Sequence, residues 1–146
     1  MRRFGHSLQE MEQKTKSSIL QVVQSNLSAW DSARVLKVLD KSDWAPLDLR
    51  HGDNPTIYIC LTPNEVEAYI GILRVFIAQH IRSLTAELPS REDAKSILFL
   101  LDELPRLRHM KPVEEALDIG RQYGIRLWMF AQSLGQLQQS LSLIHI

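Results

Sequence analysis

The chain has 146 residues and seventeen basic side chains against seventeen acidic ones. It has room for about one domain with a sizeable core, and no bulk charge to draw it to nucleic acid or membrane. The single cysteine, Cys60, excludes an intrachain disulfide. No stretch approaches the roughly 18 apolar residues of a membrane span, and Met1-Arg2-Arg3-Phe4 lacks the apolar segment of a signal peptide. The chain as given reads as cytoplasmic and soluble.

Leu8, Met11, Thr15, Ile19, Val22, Val23, Leu27 and Trp30 recur at three- and four-residue spacing, which predicts an amphipathic helix over 7–29. Asp31 or Ser32 is placed to cap a second, short helix carrying Val35, Leu36 and Leu39. Residues 1–40 therefore form a helical lead-in. Pro, Gly, Asp and Asn crowd 40–55, a loop that Trp44 and Leu47 pin to the core. Thr56–Leu61 is rich in β-formers and reads as a strand, with Cys60 a small buried hydrophobe inside it. Thr62-Pro63-Asn64-Glu65 is a helix start: an N-cap, a proline at the first position and a glutamate closing a capping box. The helix it opens carries Val66, Tyr69, Ile70, Leu73, Ile77, Ile81 and Leu84 on one stripe and leaves Arg74, Gln79 and Arg82 off it.

After a polar linker at 90–95 comes Ile97-Leu98-Phe99-Leu100-Leu101-Asp102-Glu103. Five unbroken apolar residues predict a strand buried on both faces of a parallel sheet. Ligands of open α/β sheets sit beyond the carboxyl ends of the strands, so Asp102 and Glu103 stand where chemistry would be done. An Asp ending such a strand can hold Mg²⁺, and an acid beside it can orient or deprotonate water. Capping the next helix is the structural alternative. A basic segment follows, with Pro105, Arg106, Arg108, His109 and Lys111. Pro112 opens a helix that Gly124 ends, Ile125–Ala131 is a further strand stopping at Gln132, and Ser133 with Gln136 caps a last helix. The expected class is α/β: helices, then strand–helix–strand–helix–strand–helix, with right-handed crossovers placing three parallel strands in one sheet. Trp30, Trp44 and Trp128 read as core residues, and the histidines at 6, 51, 80 and 145 show no metal-ligand spacing.

Leu101-Asp102-Glu103-Leu104-Pro105-Arg106-Leu107, Met110–Leu117, Tyr123–Trp128 and Gln132-Ser133-Leu134 together resemble the TraG/TraD family, the type IV coupling proteins of conjugation and secretion. Thr56–Pro63 and Lys16–Leu20 resemble the preceding family strand and helix. The resemblance implies a partial RecA-like P-loop NTPase fold over 41–139. It also implies a parent that is a homo-hexameric ATPase on the cytoplasmic face of the inner membrane. That parent would use ATP and Mg²⁺ to pass relaxase-bound single-stranded DNA, or effector proteins, to the type IV secretion channel. Asp102 would then coordinate Mg²⁺, Glu103 would be the catalytic base, and Gln132 the polar sensor of the γ-phosphate or water. Arg121 lies where some members place an arginine finger for a neighbouring subunit; an ordinary solvated helix arginine is the other reading. Arg106, Arg108, His109 and Lys111 would line a DNA channel in the assembled ring, or be merely solvated. There are two departures from the family pattern. Leu104 replaces a usual Phe, and Arg108-His109 stands where Gly-Arg or Gly-Lys is usual, which bears on the local turn.

The phosphate loop Gly-x-x-x-x-Gly-Lys-Ser/Thr does not occur in the sequence. The expectation is therefore the C-terminal portion of a motor domain, carrying half of an ATP site and inactive alone, with 140–146 a non-native tail or an ordinary apolar one. A FtsK-like DNA pump shares the same strand-and-acid logic, and a non-catalytic α/β interaction module is a further alternative.

Overall fold

A computed structural model describes residues 11–90 and 95–141, and the chain divides into two units, 1–41 and 42–146. In the first, α1 (Gln13–Leu27) runs into a 3₁₀ turn at Ser28–Asp31, and α2 (Ala33–Leu39) starts after Ser32 in extended backbone. The predicted apolar stripe is present, yet no described residue of this unit is buried: Val22, Val23, Leu27 and Leu36 are exposed.

In the second unit the apolar run becomes β1 (Ile97–Leu101), and Ile125–Met129 becomes β2. The two pair in parallel, with Ile97 opposite Ile125 and Leu101 opposite Met129. The crossover between them is α5 (Lys111–Ile119), introduced by a 3₁₀ turn at Leu104–Leu107 and closed by another at Gly120–Tyr123. Gly124 stops it in the left-handed region at φ 67°, where a Cβ would lie 3.3 Å from both Arg50 Nη1 and Lys95 O. Ahead of the sheet runs α4 (Pro63–Leu84), and α6 (Leu134–Leu141) follows it. The start of α4 matches its sequence signal, because the Glu65 carboxylate accepts hydrogen bonds from the Thr62 N–H and Oγ1.

One face of the sheet carries the core. Leu101, Leu104, Leu107, Met110, Val113 and Ala116 pack with Ile77 and Ile81 of α4 and Leu141 of α6, while Leu84, Ile97 and Ile125 form a second cluster at the other end of the strands. Burial of this kind, at about 25 cal/mol per Å² of apolar surface, is the main force holding the unit together. Ser140 and Leu141, assigned to the tail by the sequence pattern, are buried at the end of α6; 142–146 lie outside the described residues.

The structure corrects three expectations. The sheet has two strands among the described residues, because Thr56–Leu61 is unpaired coil. β-propensity makes a strand only where a neighbour supplies ladder hydrogen bonds and cover; here Tyr58 is 83 % exposed and Cys60 is exposed rather than buried. Trp128 is not core either. It shares the other face of the sheet with Leu98 and Leu100, and all three are exposed, so the strands are buried on one face only. The loop at 40–55 contains one helical turn, α3 (Asp48–His51), whose Asp48 carboxylate accepts from the Ala45 N–H at 2.8 Å. Trp44 touches α4 but is itself exposed rather than core, and Leu47, read as the second anchor, is exposed too. The Trp44 ring meets Phe76 at 5.9 Å and His80 at 4.9 Å on α4.

Candidate functional site

Parallel pairing in register brings the C-terminal ends of β1 and β2 to one rim. Leu101 O accepts from Phe130 N–H at 3.1 Å and Phe130 O from Leu104 N–H at 3.0 Å, so the two chain tips are tied one residue beyond the strands. The acids leave β1 at this rim. Asp102 is exposed in the turn, and Glu103 adopts the left-handed conformation, φ 56° and ψ 51°. That region costs a non-glycine residue of the order of 1–2 kcal/mol, and two contacts hold the side chain there. Glu103 Oε1 accepts from Gln132 Nε2 at 2.9 Å, across the two strand tips. Glu103 Oε2 pairs with Arg106 Nε at 2.8 Å. Gln132 is itself positioned, since its backbone N–H donates to Gln136 Oε1 at 3.1 Å, while Ser133 Oγ accepts from Gln136 N–H at 3.4 Å. The helix-start signal at 133–136 thus also fixes the backbone of Gln132.

Of the residues singled out from sequence, the structure gathers Asp102, Glu103, Gln132 and Arg106 at one rim and leaves Arg121 apart. Arg121 is exposed in the 3₁₀ turn before β2, at the other end of the sheet. Lys111 and His109 lie on the near side of α5 and face acids of that helix: Lys111 Nζ is 3.6 Å from Glu115, and His109 Nε2 is 3.2 Å from Glu114. These exposed pairs are worth at most about 1 kcal/mol each. Arg108 is exposed with φ 57° and ψ −172°, a backbone region close to glycine-only. The loop keeps a glycine's geometry although an arginine occupies it. Arg108→Gly is therefore expected to stabilise the chain by about 1 kcal/mol net of glycine's unfolded-state entropy, read as a rise in the thermal midpoint with the sheet spectrum unchanged.

Arg74 was missed by periodicity reasoning, because it falls off the apolar stripe of α4. Its guanidinium donates to Leu107 O and, at 2.9 Å, to His109 O, which anchors the turn that follows the acids. An arginine inside the otherwise apolar run at 68–78 is the available signal. A shallow cleft of about 240 Å³ opens beside this turn, lined by Pro105, Arg108, His109, Gln136, Gln139 and Ser140. Among the described residues no cluster of His, Cys, Asp or Glu has the makings of an all-protein metal site. Asp102 offers a single carboxylate, which suits Mg²⁺ held mainly by water and phosphate oxygens.

A paired acid–glutamine rim on a parallel sheet is open to several chemistries, and comparison with known proteins narrows them. The chain is 30 % identical over 111 residues to Protein VirD4 of Rhizobium radiobacter, covering 76 % of this chain and 16 % of that protein. It is 25 % identical over 141 residues to the conjugal transfer protein TraG of Escherichia coli, covering 92 % of this chain and 22 % of that one. The type IV secretion system-coupling protein VirD4 of Bartonella henselae is 29 % identical over 128 residues, 88 % of this chain and 20 % of its own length. The chain thus spans about a fifth or less of these relatives. No solved structure is a significant match, and no described helix is long and apolar enough to cross a membrane. Residues 4–141 match the model of the family described as type IV secretory system conjugative DNA transfer, and the chain belongs to that family.

Proposed function

We propose that this chain is the acid-bearing part of a RecA-like P-loop motor in a conjugative coupling ATPase. The observation that carries the reading is the Gln132–Glu103 hydrogen bond at 2.9 Å, made at the rim where Asp102 also emerges. A parallel sheet supports this geometry only if both strands end at the same edge, which is where such sheets bind nucleotides. In the complete protein Asp102 holds Mg²⁺, Glu103 takes the proton of the attacking water, and Gln132 reads the γ-phosphate or that water. Arg121, exposed at the far end of the sheet from its own chain's acids, would serve as an arginine finger for a neighbouring subunit of a homo-hexamer. The backbone N–H groups and lysine that hold the phosphates, and the hydroxyl that completes the protein's share of the metal's ligands, would come from a phosphate loop that this sequence does not contain. The assembled motor works at the cytoplasmic face of the inner membrane and moves relaxase-bound single-stranded DNA, or effector proteins, to the secretion channel.

The chain alone lacks the backbone N–H cradle and lysine that supply most of the phosphate affinity. Calorimetric titration with Mg-ATP is expected to give no measurable heat of binding up to millimolar nucleotide. A micromolar dissociation constant from this chain would show a self-sufficient nucleotide site and sink the split-motor reading.

A further inference from the structure

We infer that Arg106 is a latch on Glu103, and that the phosphate backbone of a single nucleic-acid strand releases it. The inference rests on the reading of Glu103 as the base of the nucleotide site, and it assigns a regulation to that site. Both carboxylate oxygens of Glu103 are engaged in this structure, Oε1 by Gln132 and Oε2 by Arg106 Nε at 2.8 Å. In this state Oε2 is turned to the guanidinium instead of to a water. Gln132 approaches from β2 and belongs to the site itself. Arg106 approaches from the outer side, on the 3₁₀ turn that follows the acids.

The contact is poised for exchange. The Arg106 and Glu103 side chains are 44 % and 36 % exposed, so solvent screens the pair and it holds only weakly. A phosphate oxygen competes well for a guanidinium. Arg108 follows two residues later and is exposed, so an incoming strand meets two guanidinium groups close together. Glu103 is also held in the left-handed region, φ 56°. Once Arg106 is taken by phosphate, one of the two contacts holding that conformation is gone, and the carboxylate is free to turn. Arg106 thus acts through Glu103, as a positioning residue. By linkage the coupling runs both ways: what loosens Glu103 from Arg106 must strengthen the strand's hold on Arg106 to the same degree.

That reciprocity supplies a test needing no nucleotide. Binding of a fluorescent oligothymidylate to the chain is measured at low salt for wild type, Glu103→Gln, Arg106→Gln, Arg106→Lys and the double variant Glu103→Gln/Arg106→Gln. Asp118→Asn, on the crossover helix α5, serves as the control for removing one negative charge. Glu103→Gln is expected to tighten binding roughly two- to fivefold beyond the control, the equivalent of an exposed ion pair. The gain should vanish in the Arg106→Gln background and return in part with Arg106→Lys. An equal gain with and without Arg106 would reduce the effect to bulk charge and overturn the latch. Absence of oligothymidylate binding by both wild type and Glu103→Gln would overturn it too. Neither result touches the assignment of Glu103 as the base, which stands or falls on hydrolysis by the complete motor.

Discussion

Arg50→Ala is expected to destabilise the second unit by about 2–4 kcal/mol, the loss of a charged group's hydrogen bonds together with stranded carbonyls. Arg50 is 4 % exposed. Its guanidinium donates to Tyr123 O at 2.7 Å and to Lys95 O and Leu84 O at 3.4 Å. Those carbonyls belong to three elements: the last residue of α4, the segment before β1 and the turn before β2. One side chain from the helical turn at 48–51 thus fastens the end of the sheet opposite the acids. The last carbonyl of α4 also carries the negative end of the helix dipole, which favours a cation there. Alanine would leave these oxygens facing a cavity beside Leu84, a fully buried side chain. Lysine, with one small ammonium on a flexible stem, cannot span three acceptors in the guanidinium's plane, so Arg50→Lys should recover less than half of the loss. Thermal denaturation reads this as a drop of roughly 10–20 °C for alanine in a unit of about 100 residues. A drop under about 3 °C would mean that water replaces the guanidinium and that the clamp is incidental.

Arg50 also marks where sequence reasoning stopped. Its acceptors are backbone carbonyls 34, 45 and 73 residues away, and a carbonyl leaves no trace in residue type. Signals written in local chemistry were readable: the capping box at Thr62–Glu65, the terminator at Gly124, and the apolar run that became β1. The rim was readable for the same reason, since an acid pair and a glutamine after apolar runs have one place to go in a parallel sheet. What failed depended on neighbours. Thr56–Leu61 has a strand's composition but is unpaired, and Trp128 has a core residue's size but lies on an exposed sheet face. Both readings assumed cover on each side of the sheet. Arg74 escapes periodicity, which registers which positions are apolar, not which polar ones have carbonyls in reach.

Glu103→Gln, introduced into the complete motor, is expected to lower kcat for ATP hydrolysis by about two to four orders of magnitude, the usual contribution of a positioned general base. ATP affinity should stay within about threefold, because the phosphates and metal are held by other groups. The amide preserves shape and the contact to Gln132 but takes no proton. Glu103→Gly separates chemistry from conformation. Residue 103 sits at φ 56° and ψ 51°, where glycine is at home and glutamate is strained. Relief of that strain offsets the lost Arg106 and Gln132 contacts, so the folding free energy should change by no more than about 1 kcal/mol while hydrolysis is lost. Arg108 also has a positive φ, 57°, and Arg108→Gly relieves that strain without altering either carboxylate. If residue 103 served only to shape the turn after β1, Glu103→Gly would retain activity and Arg108→Gly would be its equal. Activity surviving in Glu103→Gly would therefore remove this carboxylate from the reaction and leave the strain at 103 a matter of folding alone.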